Sequence, residues 1–212
     1  MNFNNPLTFV ASNSRWDVLC LCVPVPDLRL VLVGRTGSGK STCGYMILGR
    51  DAFSIGGAAA SSSSGNAQYC LQTEEVSRWK VTIVDTPGFS ETPEVKTEIR
   101  RCVDMLAPGP HAFLLVIKVR PQMNDEQDTV RQMVEIFGEK VWSHTFVVLT
   151  YQHQVAKDQV AAAKAKLKEI LPQRVGNRYY SPYINSWLDL LRKLENMVIA
   201  NRGKSYSVQD RA

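Results

Sequence analysis

Gly34, Gly37, Gly39, Lys40 and Ser41 stand in "LRLVLVGRTGSGKS" as G-x-x-x-x-G-K-S. Glycines at this spacing let backbone N–H groups turn inward toward an anion. The lysine adds a compact positive charge, and the serine hydroxyl is an oxygen ligand for a divalent cation. The candidate phosphate-binding set is therefore Gly34, Arg35, Thr36, Gly37, Ser38, Gly39, Lys40, Ser41 and Thr42. The pattern arises by chance in roughly one chain in a hundred at this length, taking background glycine near 7%. Here the run Leu28–Val33 precedes it and a helical stretch follows it, as the chemistry demands. The competing reading is an ordinary glycine-rich turn from strand to helix.

A second group lies about 45 residues beyond Lys40 in "VTIVDTPGF". Asp85 ends an apolar strand, where a carboxylate can reach the same cation that Ser41 ligates. Gly88, three residues on, can present its N–H to a terminal phosphate, so D-x-x-G reads as a sensor of whether that phosphate is there. Ser41 and Asp85 are the candidate metal ligands, with Mg²⁺ the metal. Behind a phosphate loop at this distance, D-T-P-G favours a GTPase over the ATP-hydrolysing relatives. A Pro-Gly pair that merely closes a strand is the alternative.

The elements that must hold these groups can be read from the hydrophobic pattern. A helix is expected over Ser41–Leu48, and two strands in "AQYCLQTEEVSRWKVTIVD", the second ending at Asp85. Val95, Ile99, Val103 and Leu106 share one helical face, as do Val130, Met133, Val134 and Phe137. "AFLLVIKV" and "HTFVVLT" read as buried strands, "VAAAKAKLKEIL" as a helix of high propensity, and Arg178–Ile184 as a short strand. Trp187, Leu190, Leu191, Leu194 and Val198 mark a last helix, its stripe a core face or an oligomer seam. Strands alternating with helices give an α/β fold: a three-layer P-loop architecture with a mostly parallel central sheet flanked by helices. The small polar stretch 54–67 has nothing to bury and reads as a mobile loop.

The totals narrow the function classes. The 212 residues suit one domain, with 44% hydrophobic and 21% charged residues and a net charge of +5. That balance suits an anionic ligand or an anionic membrane surface, and it argues against nucleic acid, since no basic run with interleaved aromatics occurs. Five cysteines at irregular spacing are read as reduced thiols in a cytoplasmic protein. "VLCLCVPV" is too short to span a bilayer and is broken by prolines, so residues 1–27 are expected to be a variable, partly disordered leader. Any membrane contact is then peripheral, without a transmembrane span.

"LRLVLVGRTGSGKS", "ILGRDAF", "VDTPGF", "PGPHAFLLVIKV", "IFGEKVWSHTFVVLT" and "GNRYY" occur in that order. Together they resemble the G domain of the immunity-associated GTPases (the GIMAP or IAN family), relatives of the Toc GTPases of chloroplast import and of the septins. The resemblance covers about residues 28 to 200, leaving 201–212 as a short flexible tail. It implies a guanine-nucleotide binder, with GTP or GDP and Mg²⁺ as cofactors, that forms a homodimer or oligomer in the GTP state.

The departures from that family are as informative. Phe89 follows D-x-x-G where small GTPases often carry a glutamine that orients the attacking water. The resemblance implies that dimer contacts supply what is missing, one of them an arginine in the loop after "PGPHA". The aligned position here is Pro121, with Arg120 one step earlier, so Arg120 is either the candidate catalytic arginine or a solvated loop charge. A switch threonine expected shortly before Cys70 is replaced by Asn66 and Ala67, with Ser61–Ser64 as substitutes. In "TYQHQV", Gln154 stands where a carboxylate accepts two guanine N–H groups, and His153 lies beside it. Gln154, His153 and Asn185 are the candidate guanine contacts, with Asn185 alternatively a surface turn and Tyr183 a stacking or core residue. His111 reads as a turn or packing residue, and Asn124–Asp128 as an acidic helix start that complements the dipole. Two functions follow as expectations. One is GTP binding with slow, dimerisation-dependent hydrolysis; the other is a degenerate G domain that scaffolds oligomers without significant turnover.

Overall fold

Long apolar strands need cover on both faces, and the helices that provide it here come from the amphipathic segments between them. The computed structural model describes residues 26–49, 70–120, 126–151, 157–181 and 186–211. In chain order the elements are β1 (Asp27–Val33), α1 (Lys40–Leu48), β2 (Cys70–Val76), β3 (Trp79–Asp85) and α2 (Pro93–Asp104). They continue with β4 (Ala112–Lys118), α3 (Glu126–Phe137), β5 (Thr145–Thr150), α4 (Lys157–Ile170), β6 (Tyr179–Tyr180) and α5 (Trp187–Ala200). Short 3-10 turns occupy Glu139–His144, Gln173–Val175 and Val208–Arg211.

Among the described residues the sheet has six strands in the order β2-β3-β1-β4-β5-β6. Every pairing is parallel except β2 with β3, which form an antiparallel hairpin. The expected mostly parallel, three-layer α/β architecture is therefore what the chain adopts. Leu28, Leu30 and Leu32 point to the α1/α5 side, against Cys43, Ile47, Leu190, Leu191 and Leu194. Val31 and Val33 point to the opposite side, against Ile99, Met133, Ile136 and Leu167 of α2, α3 and α4. The leucine stripe of α5 is thus core, and Trp187 packs on Tyr180 with ring centroids 5.3 Å apart.

Two sequence expectations meet a different local structure. The short strand expected over Arg178–Ile184 is two residues long, Tyr179–Tyr180; residues 182–185 lie outside the described set. The segment after α5, expected as a tail, brings Tyr206 into the core at 1% exposure. Its amide donates to Pro110 O at 2.8 Å, and its ring meets Phe113 edge-on at 5.0 Å. The aromatic residue anchors a stretch whose composition alone reads as polar. The leader through residue 25 and the loop 54–67 also lie outside the described residues.

Candidate functional site

The site is built where β1 and β3, neighbours in the sheet, both end. β1 stops at Val33, and the chain turns through Gly34–Gly39 into α1. The start of α1 is Gly39, at φ 97°, and no side chain caps it. An L-residue with a side chain is strained at that φ, and the uncapped first turn leaves backbone N–H groups facing out of the loop. The helix dipole adds partial positive charge at the same point. Lys40 is buried at 8% exposure, and its Nζ donates to Gly34 O at 3.2 Å and Arg35 O at 3.1 Å. The ammonium is therefore folded back over its own loop. Burial pulls its pKa down, against the attraction of Asp85. Arg35, Thr36 and Gly37 are exposed at the crown of the loop, while Ser38 is buried.

Asp85 enters from the end of β3. Ser41 Oγ donates to Asp85 Oδ2 at 2.5 Å. The other oxygen, Oδ1, is buried with no hydrogen-bond partner. Burial raises the Asp85 pKa, opposed by the Ser41 bond and by Lys40. An unsatisfied carboxylate oxygen next to a serine hydroxyl, both at a loop shaped for phosphate, fits a hard divalent cation that takes oxygen ligands. The two candidate metal ligands are thus brought together, and the phosphate set Gly34–Thr42 runs through the loop Gly34–Gly39 into the first residues of α1.

Gly88 lies directly on that turn. A Cβ at Gly88 would come within 2.1 Å of Thr36 Oγ1 and 2.6 Å of Thr36 N. Only glycine lets the two segments approach this closely. Phe89 N donates to Gly34 O at 3.1 Å, and Thr86 Oγ1 to Leu32 O at 2.7 Å. The D-T-P-G segment is therefore stitched to β1 and the loop after it. Its far end is tied to α3: Glu91 accepts from Arg131 at 2.7 Å and from Gln132 Nε2 at 3.1 Å.

Sequence reasoning missed Thr150. It ends β5, and its hydroxyl donates to Ser38 O at 2.6 Å, clasping the loop from the opposite side. A polar residue closing an otherwise apolar strand is the signal that could have found it. Glu126 was read only as part of an acidic helix start, and it does open α3, with Asp128 in the same first turn. Its side chain is nevertheless buried at 4% exposure. His111 is a packing residue: its Nδ1 accepts from Arg29 N at 3.1 Å. Arg120 is exposed and helps to line a cavity of about 260 Å³ beside the loop. Gln154, His153 and Asn185, the candidate guanine contacts, lie outside the described residues, as do Pro121, Tyr183, Asn66, Ala67 and Ser61–Ser64.

Comparison with known proteins follows the same lines. The model of the AIG1 family matches residues 28–210. The chain is 31% identical over 204 residues to immune-associated nucleotide-binding protein 9 of Arabidopsis thaliana, covering 86% of this chain and 58% of that protein. It is 29% identical over 189 residues to human GTPase IMAP family member 8, covering 84% of this chain and 28% of that protein. The chain therefore spans less than two thirds of the length of either relative. Its fold matches Arabidopsis thaliana Toc33 in complex with GDP and Mg²⁺, with a TM-score of 0.63 at 18% identity over 86% of this chain and 88% of that one. Dimerization is important for the GTPase activity of the chloroplast translocon components Toc33 and Toc159.

Proposed function

This chain belongs to the AIG1 family, and from that premise we propose that it binds a guanine nucleotide with Mg²⁺ and hydrolyses GTP slowly, as a dimer. The observation that carries the reading is the Ser41–Asp85 pair, with Asp85 Oδ1 left without a partner beside the uncapped start of α1. The loop N–H groups hold the β-phosphate, and Lys40 leaves the Gly34 and Arg35 carbonyls for phosphate oxygens that carry full negative charge. Ser41 and Asp85 hold Mg²⁺, which supplies charge neutralisation of the phosphate oxygens. Gly88, pressed on Thr36, offers its N–H to a γ-phosphate; Glu91 relays the position of that segment to α3. Thr150 keeps Ser38 O turned away from the phosphates, so that the loop presents donors rather than carbonyls.

The slow rate follows from Phe89. It is buried at 8% exposure, and an apolar ring has no proton to place on an attacking water. A second protomer then supplies the missing charge, with Arg120 as the exposed arginine nearest in sequence to the family position. The same Phe89 favours the second reading, a nucleotide-dependent oligomerisation scaffold without significant turnover.

Isothermal titration with non-hydrolysable GTP and ATP analogues, each with Mg²⁺, tests the reading alongside Lys40→Ala. Binding of the GTP analogue alone, abolished in Lys40→Ala, is the expected result; binding of neither analogue would overturn it. Turnover per protomer that rises with protein concentration separates the dimer-completed enzyme from the scaffold, for which turnover stays at background throughout.

A further inference from the structure

The last strand and the helix that follows it differ in length. β6 has two residues, about 7 Å of chain, whereas α5 has 14 residues, about 21 Å. The helix outruns the strand. Its second half faces the Gln173–Val175 turn and the start of β5 across an open cavity of about 740 Å³. That volume lies in the range of about 300–1,000 Å³ that holds small organic ligands. The cavity is at the amino end of the sheet and shares no lining residue with the one beside the phosphate loop.

Its lining is one-sided in charge. The charged residues there, Arg174, Arg178 and Lys193, are all cations. None of them takes part in the ion pairs found among the described residues. Arg174 and Lys193 are exposed. Arg178 is half-buried and spends its guanidinium on the backbone, Nη1 donating to Ser143 O at 2.6 Å and Nη2 to Trp142 O at 2.7 Å. Burial pulls its pKa down, with no carboxylate to hold it up. Its charge is thus fixed in place and uncompensated. Complementing a helix dipole does not account for the group, because that effect falls off within the last turn. Lys193 sits midway along α5, and Arg174 belongs to a different element. Phe146, Met197 and Ala200 line the same space, so apolar surface lies beside the cations. Such a lining repels a metal cation. An occupant that satisfies both parts carries a negative head and an apolar body.

We propose that this cavity binds an organic anion with a medium-length alkyl chain, its carboxylate or phosphate head paired with Arg174 and Lys193 and its chain against Phe146, Met197 and Ala200. Arg178 adds its positive field while keeping its carbonyl partners. Head and chain are both needed. Exposed cations alone hold an inorganic anion weakly, because water and salt screen them, and the chain brings the apolar burial that the charges lack. The site is independent of nucleotide binding, since it lies at the opposite end of the sheet.

Titration calorimetry with decanoate and decyl phosphate, each below its micelle concentration, tests the site. Saturable binding of one molecule per chain is expected for both, with inorganic phosphate and decyltrimethylammonium weaker by at least about tenfold. Arg174→Ala and Lys193→Ala remove exposed side chains that make no ion pair. Each is expected to weaken decyl phosphate by about tenfold and to leave the melting temperature unchanged. Ala200→Trp narrows the cavity, keeps all three cations, and is expected to weaken both amphiphiles by a similar factor. Lys40→Ala is expected to bind decyl phosphate as wild type does; a loss there would move the ligand to the phosphate loop and overturn the proposal. Equal binding of inorganic phosphate, or wild-type affinity in Ala200→Trp, would reduce the site to surface charge and overturn it too. Binding of neither free amphiphile would do the same. If the protein then bound vesicles of phosphatidylcholine with phosphatidic acid, the basic residues would form a membrane-facing surface and not a ligand pocket.

Discussion

The two ends of the central sheet treat their polar groups in opposite ways. At the carboxyl end, Ser38 Oγ, Asp85 Oδ1, Glu126 Oε2 and Gln132 Oε1 are all buried without a partner. At the amino end, buried and half-buried polar side chains are spent on backbone carbonyls. Arg178 donates to the carbonyls of Trp142 at 2.7 Å, Ser143 at 2.6 Å and Val175 at 3.0 Å, and also to that of Arg174. Arg29 Nε donates to Gly109 O at 2.7 Å, Thr145 Oγ1 to Val141 O at 2.8 Å, and Tyr206 OH to Phe137 O. Among the described residues, the indole N–H groups of Trp79 and Trp142 are the buried side-chain atoms there without a partner. At one end the buried oxygens are satisfied by the chain itself, and at the other they are left for something to complete. Open α/β sheets place ligands at the carboxyl ends of their strands, and the distribution of unpaired atoms here follows that rule.

The difference predicts a crossing of effects. Lys40→Ala is expected to lower nucleotide affinity by at least about 100-fold, the scale of lost charge-assisted hydrogen bonds, and to leave the melting temperature nearly unchanged. Arg178→Ala is expected to do the reverse. It strips the donors from four carbonyls and destabilises the fold by about 3 kcal/mol, with nucleotide affinity preserved. Titration calorimetry and urea unfolding on both variants give the four numbers. If either variant moved both quantities together, the division between the two ends would fail.

A smaller effect is expected at the junction of loop and sensor. Gly88→Ala sets a methyl group where Thr36 Oγ1 and Thr36 N already lie, at 2.1 and 2.6 Å. The D-T-P-G segment must move off the loop, so the preference for a GTP analogue over GDP should shrink by about tenfold, near 1.4 kcal/mol. GDP affinity should change little, since the loop itself is intact. Equal loss of both nucleotides would show that the segment shapes the loop rather than sensing the terminal phosphate.

What could be read in advance divides along the same line. The phosphate loop, Asp85 and Gly88 are legible because their work depends on short spacings next to a strand end. Periodicity likewise placed Ile99, Val103, Met133 and Phe137 on buried helix faces. Thr150 was not legible as a loop clasp, since the hydrogen bond to Ser38 joins residues 112 positions apart. Glu126 looks like any acidic residue at a helix start, and only the cavity beside it separates a buried carboxylate from a solvated one. Arg178 sits in "GNRYY", a stretch that carried family resemblance, yet its carbonyl partners run from Trp142 to Val175 and form only when β5 and β6 pair.

Thr150→Val probes how firmly the two regions are joined. The substitution keeps shape and removes the hydroxyl that holds Ser38 O. It should cost about 1 kcal/mol of stability and weaken nucleotide binding several-fold, because Ser38 O becomes free to turn toward the phosphates. A loss confined to stability would make Thr150 a strand-end packing residue with no part in shaping the loop.

The smallest expected effect is a pH dependence that originates at the amino end. Burial, and then the charge of Arg29, lower the His111 pKa to about 4. Its Nδ1 accepts from Arg29 N, and its Nε2 lies 2.9 Å from the Arg29 guanidinium. A protonated ring would turn a donor toward a donor at one nitrogen and meet a like charge at the other. The unfolded chain, with an ordinary histidine, takes up a proton through pH 6.5, while the folded chain does not until near pH 4. Stability is therefore fully present above about pH 6.5 and is lost as the pH falls from there toward 4. His144, also lowered by burial, adds in the same direction, and Asp85, whose pKa is raised by burial, opposes it. His111→Asn keeps an acceptor for Arg29 N and removes the titration. Between pH 7.5 and 5.5, wild-type unfolding free energy should fall by on the order of 1 kcal/mol more than that of the variant. Nucleotide affinity of the two should track together across the same interval, because the proton is taken up at the end of the sheet opposite the phosphate loop. An equal pH slope in both proteins would place the titrating group elsewhere.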